Sequence, residues 1–155
     1  MVKAKSTADI LRTACEEAIE QFKPQGETTY CNMALNYIAE KMGYQGFRGL
    51  LANEIVAKLQ DDPDFAPISA EQVSKLARAG NFIVAGAFGQ PHGHVSTAYP
   101  CDRPIAISAK WGGLAAPWLA NIGKETYHGI VTANWAFKDK PRYWVWIPDP
   151  KPETA

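Results

Sequence analysis

The spacing of apolar residues changes about halfway along the chain, and this change most constrains the fold. Up to about residue 80, apolar residues recur at the three- and four-residue spacing of amphipathic helices. Beyond that point, short apolar or alternating runs are typical of β-strands. Helices followed by strands indicate an α+β domain. The 155 residues suffice for one domain with a hydrophobic core, so we expect residues 1–155 to form a single α+β domain.

Four helices are predicted in the first half. Their expected extents are 7–22 with Ser6 or Thr7 as N-cap, 31–42 ending at a left-handed cap on Gly43, about 50–60, and 69–80. Ser69 and Gln72 have the spacing of a capping box. The third helix is expected to bury Leu51, Ile55, Val56 and Leu59.

Strands are predicted at 82–85, at 94–99 and at 143–147, with another short one within 130–137. The segment 104–129 contains glycines and Pro117 and has no clean period. Its length indicates a functional segment that shapes the substrate site.

Charge and composition exclude several classes of function. The 16 basic and 16 acidic residues cancel, so no basic field favours nucleic acid or an anionic membrane. No apolar stretch approaches the length of a membrane span. Residues 1–9 include lysines but no apolar signal-peptide core, so we expect a protein made in the cytoplasm without a general export signal.

The three cysteines do not predict a disulfide framework, because their number is odd and small. Cys15 lies on the apolar face of the first helix and is expected to be a buried hydrophobic residue. Cys101 lies in a predicted turn, either free or paired with another thiol.

Cys31 is the best candidate nucleophile. It opens the second predicted helix, where the positive end of the macrodipole favours thiolate over thiol. Free N–H groups at a helix start can also stabilise an oxyanion, and the N–H of Cys31 is a natural donor. A histidine on a strand packed against this helix end would supply the base.

His94 is the preferred base among three histidines. It begins an alternating run and follows Gly93, which allows the backbone to approach closely. His92 lies nearer the turn and is expected to be solvated, and His128 is expected on the surface or in a loop.

Other interpretations of these residues remain open. Cys31 on an apolar helical face is also compatible with a buried core position, and a strand histidine with a structural role. His92, His94 and two thiols would make a zinc set, but no cysteine pair has the CxxC spacing of structural zinc sites. The aromatic strand 143–147 is expected to be mainly core, or to line a groove with one face. In that case the chain would be a binding module.

Several short blocks together resemble a known family. They are Tyr30-Cys31-Asn32 at a helix start, Ala52-Asn53-Glu54-Ile55, the strand 82–86, Gly93-His94-Val95, Ala120-Asn121-Ile122-Gly123, and the strand 143–147. Their order, from about Thr28 to Ile147, resembles the papain-like peptidoglycan amidases of the NlpC/P60 and CHAP type. It is most similar to the amidase effectors of bacterial type VI secretion and to related phage-like cell-wall hydrolases.

The resemblance implies a papain-like cysteine endopeptidase that cleaves the peptide stem of peptidoglycan, typically between D-glutamate and diaminopimelate. By matching positions, Cys31 is the expected nucleophile and His94 the expected base. Asn121 or a backbone carbonyl near Ala116 is expected to orient His94, while Asn53 is expected to cap a helix or make a buried hydrogen bond. No cofactor or metal is implied.

The family also sets expectations about delivery and partners. Such effectors lack signal peptides, reach the periplasmic cell wall through a specialised secretion system or after lysis, and are neutralised by a cognate immunity protein. The alternatives are a papain-like enzyme acting on another amide, including acyl transfer, and a non-catalytic module that binds the wall or a partner.

Overall fold

A computed structural model describes residues 6–26 and 28–148. Most of the N-terminal segment on which the export expectation depends, residues 1–5, lies outside this part. The helices are α1 (Thr7–Gln21), α2 (Cys31–Met42), α3 (Ala52–Asp61), α4 (Ala70–Arg78) and α5 (Ala133–Ala136). The strands are β1 (Phe65–Ile68), β2 (Ile83–Ala87), β3 (His94–Ala98), β4 (Ala106–Ser108), β5 (Leu114–Ala116), β6 (Trp118–Asn121), β7 (Gly129–Thr132) and β8 (Arg142–Trp146).

Six of these strands form one antiparallel sheet, in the order β1-β8-β2-β3-β6-β7. Strands β4 and β5 form a separate antiparallel pair. The mixed architecture with an antiparallel sheet confirms the predicted α+β class. The main sheet is larger than expected, because β1 and β6 were not recognised in the sequence.

Both faces of the main sheet are covered. On one face, Trp144 and Val95 pack in a core with residues of α1, α2 and α3. On the other, Tyr143 and Val145 pack in a second core with residues of α4 and α5. Trp144 is 1% exposed, which confirms the predicted role of the aromatic strand in the core, while Tyr143 on its other face also borders a cleft.

The predicted helix boundaries follow from local capping. The Ser6 side chain accepts from the Asp9 N–H, Gly43 adopts the left-handed conformation after α2, and Ser69 with Gln72 forms a capping box. Leu51 is a correction, because it precedes α3 and is 62% exposed rather than buried.

Residues 104–129 fold into short elements that lack a readable period. They contain the β4–β5 hairpin, strand β6, and 3-10 turns at Ala109–Trp111 and Glu125–Tyr127. Gly112 and Gly113 lie between the first of these turns and β5, with positive φ angles of 72° and 85°, which suit glycine. Three-residue strands are too short for alternation to identify them.

Within the described residues, no helix combines the length and apolar character needed to cross a bilayer.

Candidate active site

Cys31 is the first residue of α2, as predicted. Tyr30 precedes it in a non-helical conformation and makes no side-chain capping hydrogen bond. Cys31 is half-buried, and the backbone N–H of Val95 in β3 lowers the pKa of its thiol. Helix α2 packs against β3, which places the strand beside the start of the helix.

Burial decides the resting state of this thiol. Desolvation raises the pKa of Cys31 above its ordinary value, and the N–H groups of Val95, Asn32 and Cys31 itself oppose the rise without cancelling it. The N–H groups at the helix start favour the thiolate, as predicted, but in the free protein burial outweighs them. At neutral pH the sulfur carries its proton, and a base is needed to remove it.

His94 is the first residue of β3 and is half-buried. Its ring packs on Phe137, with ring centroids 4.8 Å apart. Burial lowers the pKa of His94, and the hydrogen bond to Asn121 partly opposes this. The imidazole is therefore neutral at pH 7, the state in which it can accept a proton.

Asn121 holds the His94 ring. Its Oδ1 lies 2.6 Å from His94 Nε2, and its Nδ2 donates to the Tyr127 carbonyl at 2.8 Å. The carbonyl can only accept, so it fixes the amide with its nitrogen toward Tyr127 and its oxygen toward the imidazole. Nε2 then carries the hydrogen, and Nδ1 is the unprotonated nitrogen of the neutral ring.

The position of Asn121 resolves the choice between two orienting groups. It is the last residue of β6 and is 1% exposed, and its side chain is hydrogen-bonded to the His94 ring. The backbone at Ala116 lies in β5 instead, where it pairs with Ala106. The sequence left both groups as candidates, because strand β6, which places Asn121 beside His94, could not be recognised from its residues.

The turn before His94 is held from α3. The Asn53 side chain donates to the Gly89 carbonyl at 3.0 Å and accepts from the Gly89 N–H at 3.2 Å. This confirms the predicted hydrogen-bonding role of Asn53. A Cβ at Gly93 would overlap Asn53 Oδ1 and would lie 2.7 Å from the Ala87 carbonyl, so Gly93 is needed for this close approach, as predicted.

The other histidines lie outside the His94–Asn121 pair. His92 is exposed in the turn, as expected. His128 follows the 3-10 turn and is half-buried, where Nε2 lies 2.7 Å from the Ile19 carbonyl and Nδ1 accepts from the Gly123 N–H at 3.4 Å. It thereby ties the loop that carries Tyr127 to α1, a positioning role that the sequence did not indicate.

Two further cysteines and the zinc alternative can be placed. Cys15 is buried as expected, and Cys15, Cys31 and Cys101 are all free thiols. Among residues 6–26 and 28–148, no group of three or more His, Cys, Asp or Glu side chains is arranged to hold a metal ion.

The arrangement provides a thiol at a helix start, a neutral imidazole with an unprotonated Nδ1, and an amide that fixes the ring. A set of this kind would transfer the thiol proton to the imidazole, and make the sulfur nucleophilic, once the sulfur and Nδ1 are in contact. Models of known protein families give no match to this chain, and neither do curated protein sequences.

Proposed function

We propose that the protein is a papain-like cysteine amidase that hydrolyses an amide of the peptidoglycan peptide stem. The observation that carries the proposal is the hydrogen bond by which Asn121 orients His94. His94 directly precedes Val95, whose backbone N–H lowers the pKa of the Cys31 thiol. Cys-His-Asn sets of this kind serve papain-like proteases on other chains. The order of the three residues matches the family that the sequence resembles.

The reaction begins with neutral reactants. His94 Nδ1 takes the Cys31 proton as the sulfur attacks the scissile carbonyl and forms the C–S bond. The oxyanion is stabilised by N–H groups at the start of α2, including that of Cys31. Asn121 stabilises the imidazolium, because its Oδ1 accepts from Nε2–H.

The second half regenerates the enzyme. The imidazolium gives its Nδ1 proton to the leaving nitrogen as the C–N bond breaks, and an acyl thioester remains on Cys31. His94 then takes a proton from water, the hydroxide attacks the thioester carbonyl, and the thiolate leaves and is reprotonated by the imidazolium.

The substrate follows from the resemblance rather than from the site. We propose the D-glutamyl–diaminopimelate bond of the peptide stem, in the periplasm of a target cell. A specialised secretion system or lysis would deliver the protein, and a cognate immunity protein would inhibit it in the producing cell.

The test is digestion of purified sacculi, with mass spectrometry of the released fragments. Cleavage at the proposed bond gives fragments ending in D-glutamate and a new amine on diaminopimelate. Cleavage at another stem amide changes the bond assignment and keeps the chemistry. If no fragments are released while ordinary peptides or protein isopeptides are cleaved, the wall substrate is wrong. If no amide is cleaved, the non-catalytic alternative replaces the proposal.

A further inference from the structure

A large cleft lies beside two residues that contact the His94–Asn121 pair, although neither Cys31 nor His94 lines it. Its volume is about 760 Å³, and Phe137 and Tyr127 belong to its walls. Phe137 packs on the His94 ring, and the Tyr127 carbonyl orients Asn121. The cleft therefore shares two wall residues with the groups that would hold the base.

The walls combine aromatic surface with positive charge. Trp135 is 62% exposed, and its ring lies 6.2 Å from that of Tyr127. Lys110 and Lys138 also line the cleft, whereas none of its wall residues is acidic. Neither lysine forms an ion pair with a carboxylate in the described part of the chain.

Two polar groups of the cleft have unused hydrogen-bonding capacity. Lys110 Nζ donates to the carbonyls of Asn134 and Phe137, at 2.9 and 3.1 Å, which leaves one of its three N–H donors. Ser108 is 2% exposed, and its Oγ has no hydrogen-bond partner among the described residues. This oxygen is closed off from solvent in the free protein, so the remaining donor of Lys110 is the one that a ligand in the cleft can reach.

The role of His94 as the acid that protonates the leaving nitrogen indicates which part of the substrate lies next to the cleft. His94 protonates the leaving nitrogen, so the segment that carries this nitrogen departs on the imidazole side of Cys31. We propose that the cleft is the subsite for this amine-side segment, and that it recognises a segment with a carboxylate beside an apolar chain. The carboxylate would meet Lys110 and Lys138, and the apolar part would lie on Trp135. The inference rests on the proposed amidase function and identifies which half of the substrate the enzyme selects.

Binding of the amine-side product alone provides the first test. The probe is the dipeptide meso-diaminopimelyl-D-alanine, compared with the same dipeptide whose carboxylates are amidated, and binding is measured by calorimetry on the Cys31→Ala protein. We expect the amidated probe to bind about tenfold or more weakly, because it cannot form charge-assisted hydrogen bonds with the cleft.

Substitutions of residues in the cleft walls test whether the probe binds in the cleft. Trp135→Ala and Lys138→Gln, each added to Cys31→Ala, are expected to weaken the acidic probe at least about fivefold, and Lys138→Gln to reduce the discrimination against the amidated one. Ile147→Ala is the matched control, since Ile147 is 49% exposed outside the cleft walls, and it should bind like the parent. Equal binding of both probes, or an unchanged affinity in Trp135→Ala, overturns the inference.

Kinetics separate this inference from the proposed function. In the otherwise wild-type protein, Trp135→Ala should raise KM for stem-peptide fragments more than it lowers kcat. If hydrolysis depends on Cys31 but is unaffected by Trp135→Ala and Lys138→Gln, the subsite proposal is wrong and the amidase proposal stands. If the probe binds in the cleft but no amide is hydrolysed, the amidase proposal is wrong and the cleft remains a carboxylate-binding site.

Discussion

The Asn121 side chain donates to the Tyr127 backbone carbonyl at 2.8 Å, and this contact determines which end of its amide faces His94. The oxygen is left 2.6 Å from His94 Nε2. The imidazole is thereby held in the tautomer whose Nδ1 can accept a proton. A residue on β6 and a backbone carbonyl in a 3-10 turn thus prepare a base on β3.

Replacing Asn121 with alanine tests this arrangement. Asn121→Ala is expected to lower kcat on stem-peptide fragments about tenfold or more with little change in KM, because the ring loses its orientation while the binding surfaces remain. Asn81→Ala is the matched control, since Asn81 also uses its amide nitrogen on a backbone carbonyl, that of Leu76, at 3.0 Å. Each variant should cost about 1 kcal/mol of stability, and an equal loss of kcat in both would reduce Asn121 to a structural residue.

The loss of activity at acid pH should report the protonation of His94. Its pKa is lowered from 6.5 by burial, so the ring stays neutral at pH 7 and activity should fall only as the pH drops below 6.5. The hydrogen bond to Asn121 raises this pKa, so Asn121→Ala should move the acid limb to still lower pH. The measurement is kcat/KM against pH, and an acid limb well above 6.5 would contradict the assignment.

The pH dependence of thiol alkylation shows whether Cys31 and His94 rest as a neutral thiol and a neutral imidazole or as a thiolate–imidazolium ion pair. Burial raises the pKa of Cys31 above its ordinary value of 9.0, so its alkylation by iodoacetamide in the free protein should increase only at alkaline pH. Peptide mapping by mass spectrometry follows Cys31 and Cys101 separately, and Cys101 serves as the internal reference. A Cys31 rate that is already maximal at pH 6 would indicate a thiolate–imidazolium pair instead.

Gly93 should be intolerant of a side chain. A Cβ there would overlap Asn53 Oδ1 and crowd the Ala87 carbonyl, so Gly93→Ala should cost about 2 kcal/mol and lower activity by displacing the adjacent His94. Gly112→Ala is the control, because a Cβ there meets open space and only the positive φ of 72° opposes it. It should cost about 1 kcal/mol and leave kcat unchanged. Thermal unfolding and kcat, measured on both variants, check the prediction.

Much of the fold could be predicted because it depends on local signals. Ser6, Gly43 and Ser69 mark helix ends through short-range hydrogen bonds and a left-handed backbone, and these are visible in the sequence. The side chain of Leu51 was assigned to the core because its spacing fits the apolar stripe. It precedes the helix, however, where that periodicity no longer fixes its direction.

The site could be predicted only in part, for a similar reason. Cys31 and His94 were identified because each begins a regular element. Asn121 depends on the pairing of β6 with β3, where Ala120 lies opposite Thr97, and such long-range pairing cannot be read from four residues of strand. The raised pKa of Cys31 was missed because burial depends on packing, whereas the macrodipole argument considers only the helix.

The most direct measurement is the rate of muropeptide release from purified sacculi by wild type, Cys31→Ala and Cys101→Ala. Cys101 is a free, half-buried thiol outside the proposed site, so its variant should release fragments at the wild-type rate. Cys31→Ala should be slower by at least about a thousandfold, since the covalent route is lost. Equal release by wild type and Cys31→Ala would contradict the proposal that the Cys31 sulfur, with His94 and Asn121, performs the hydrolysis.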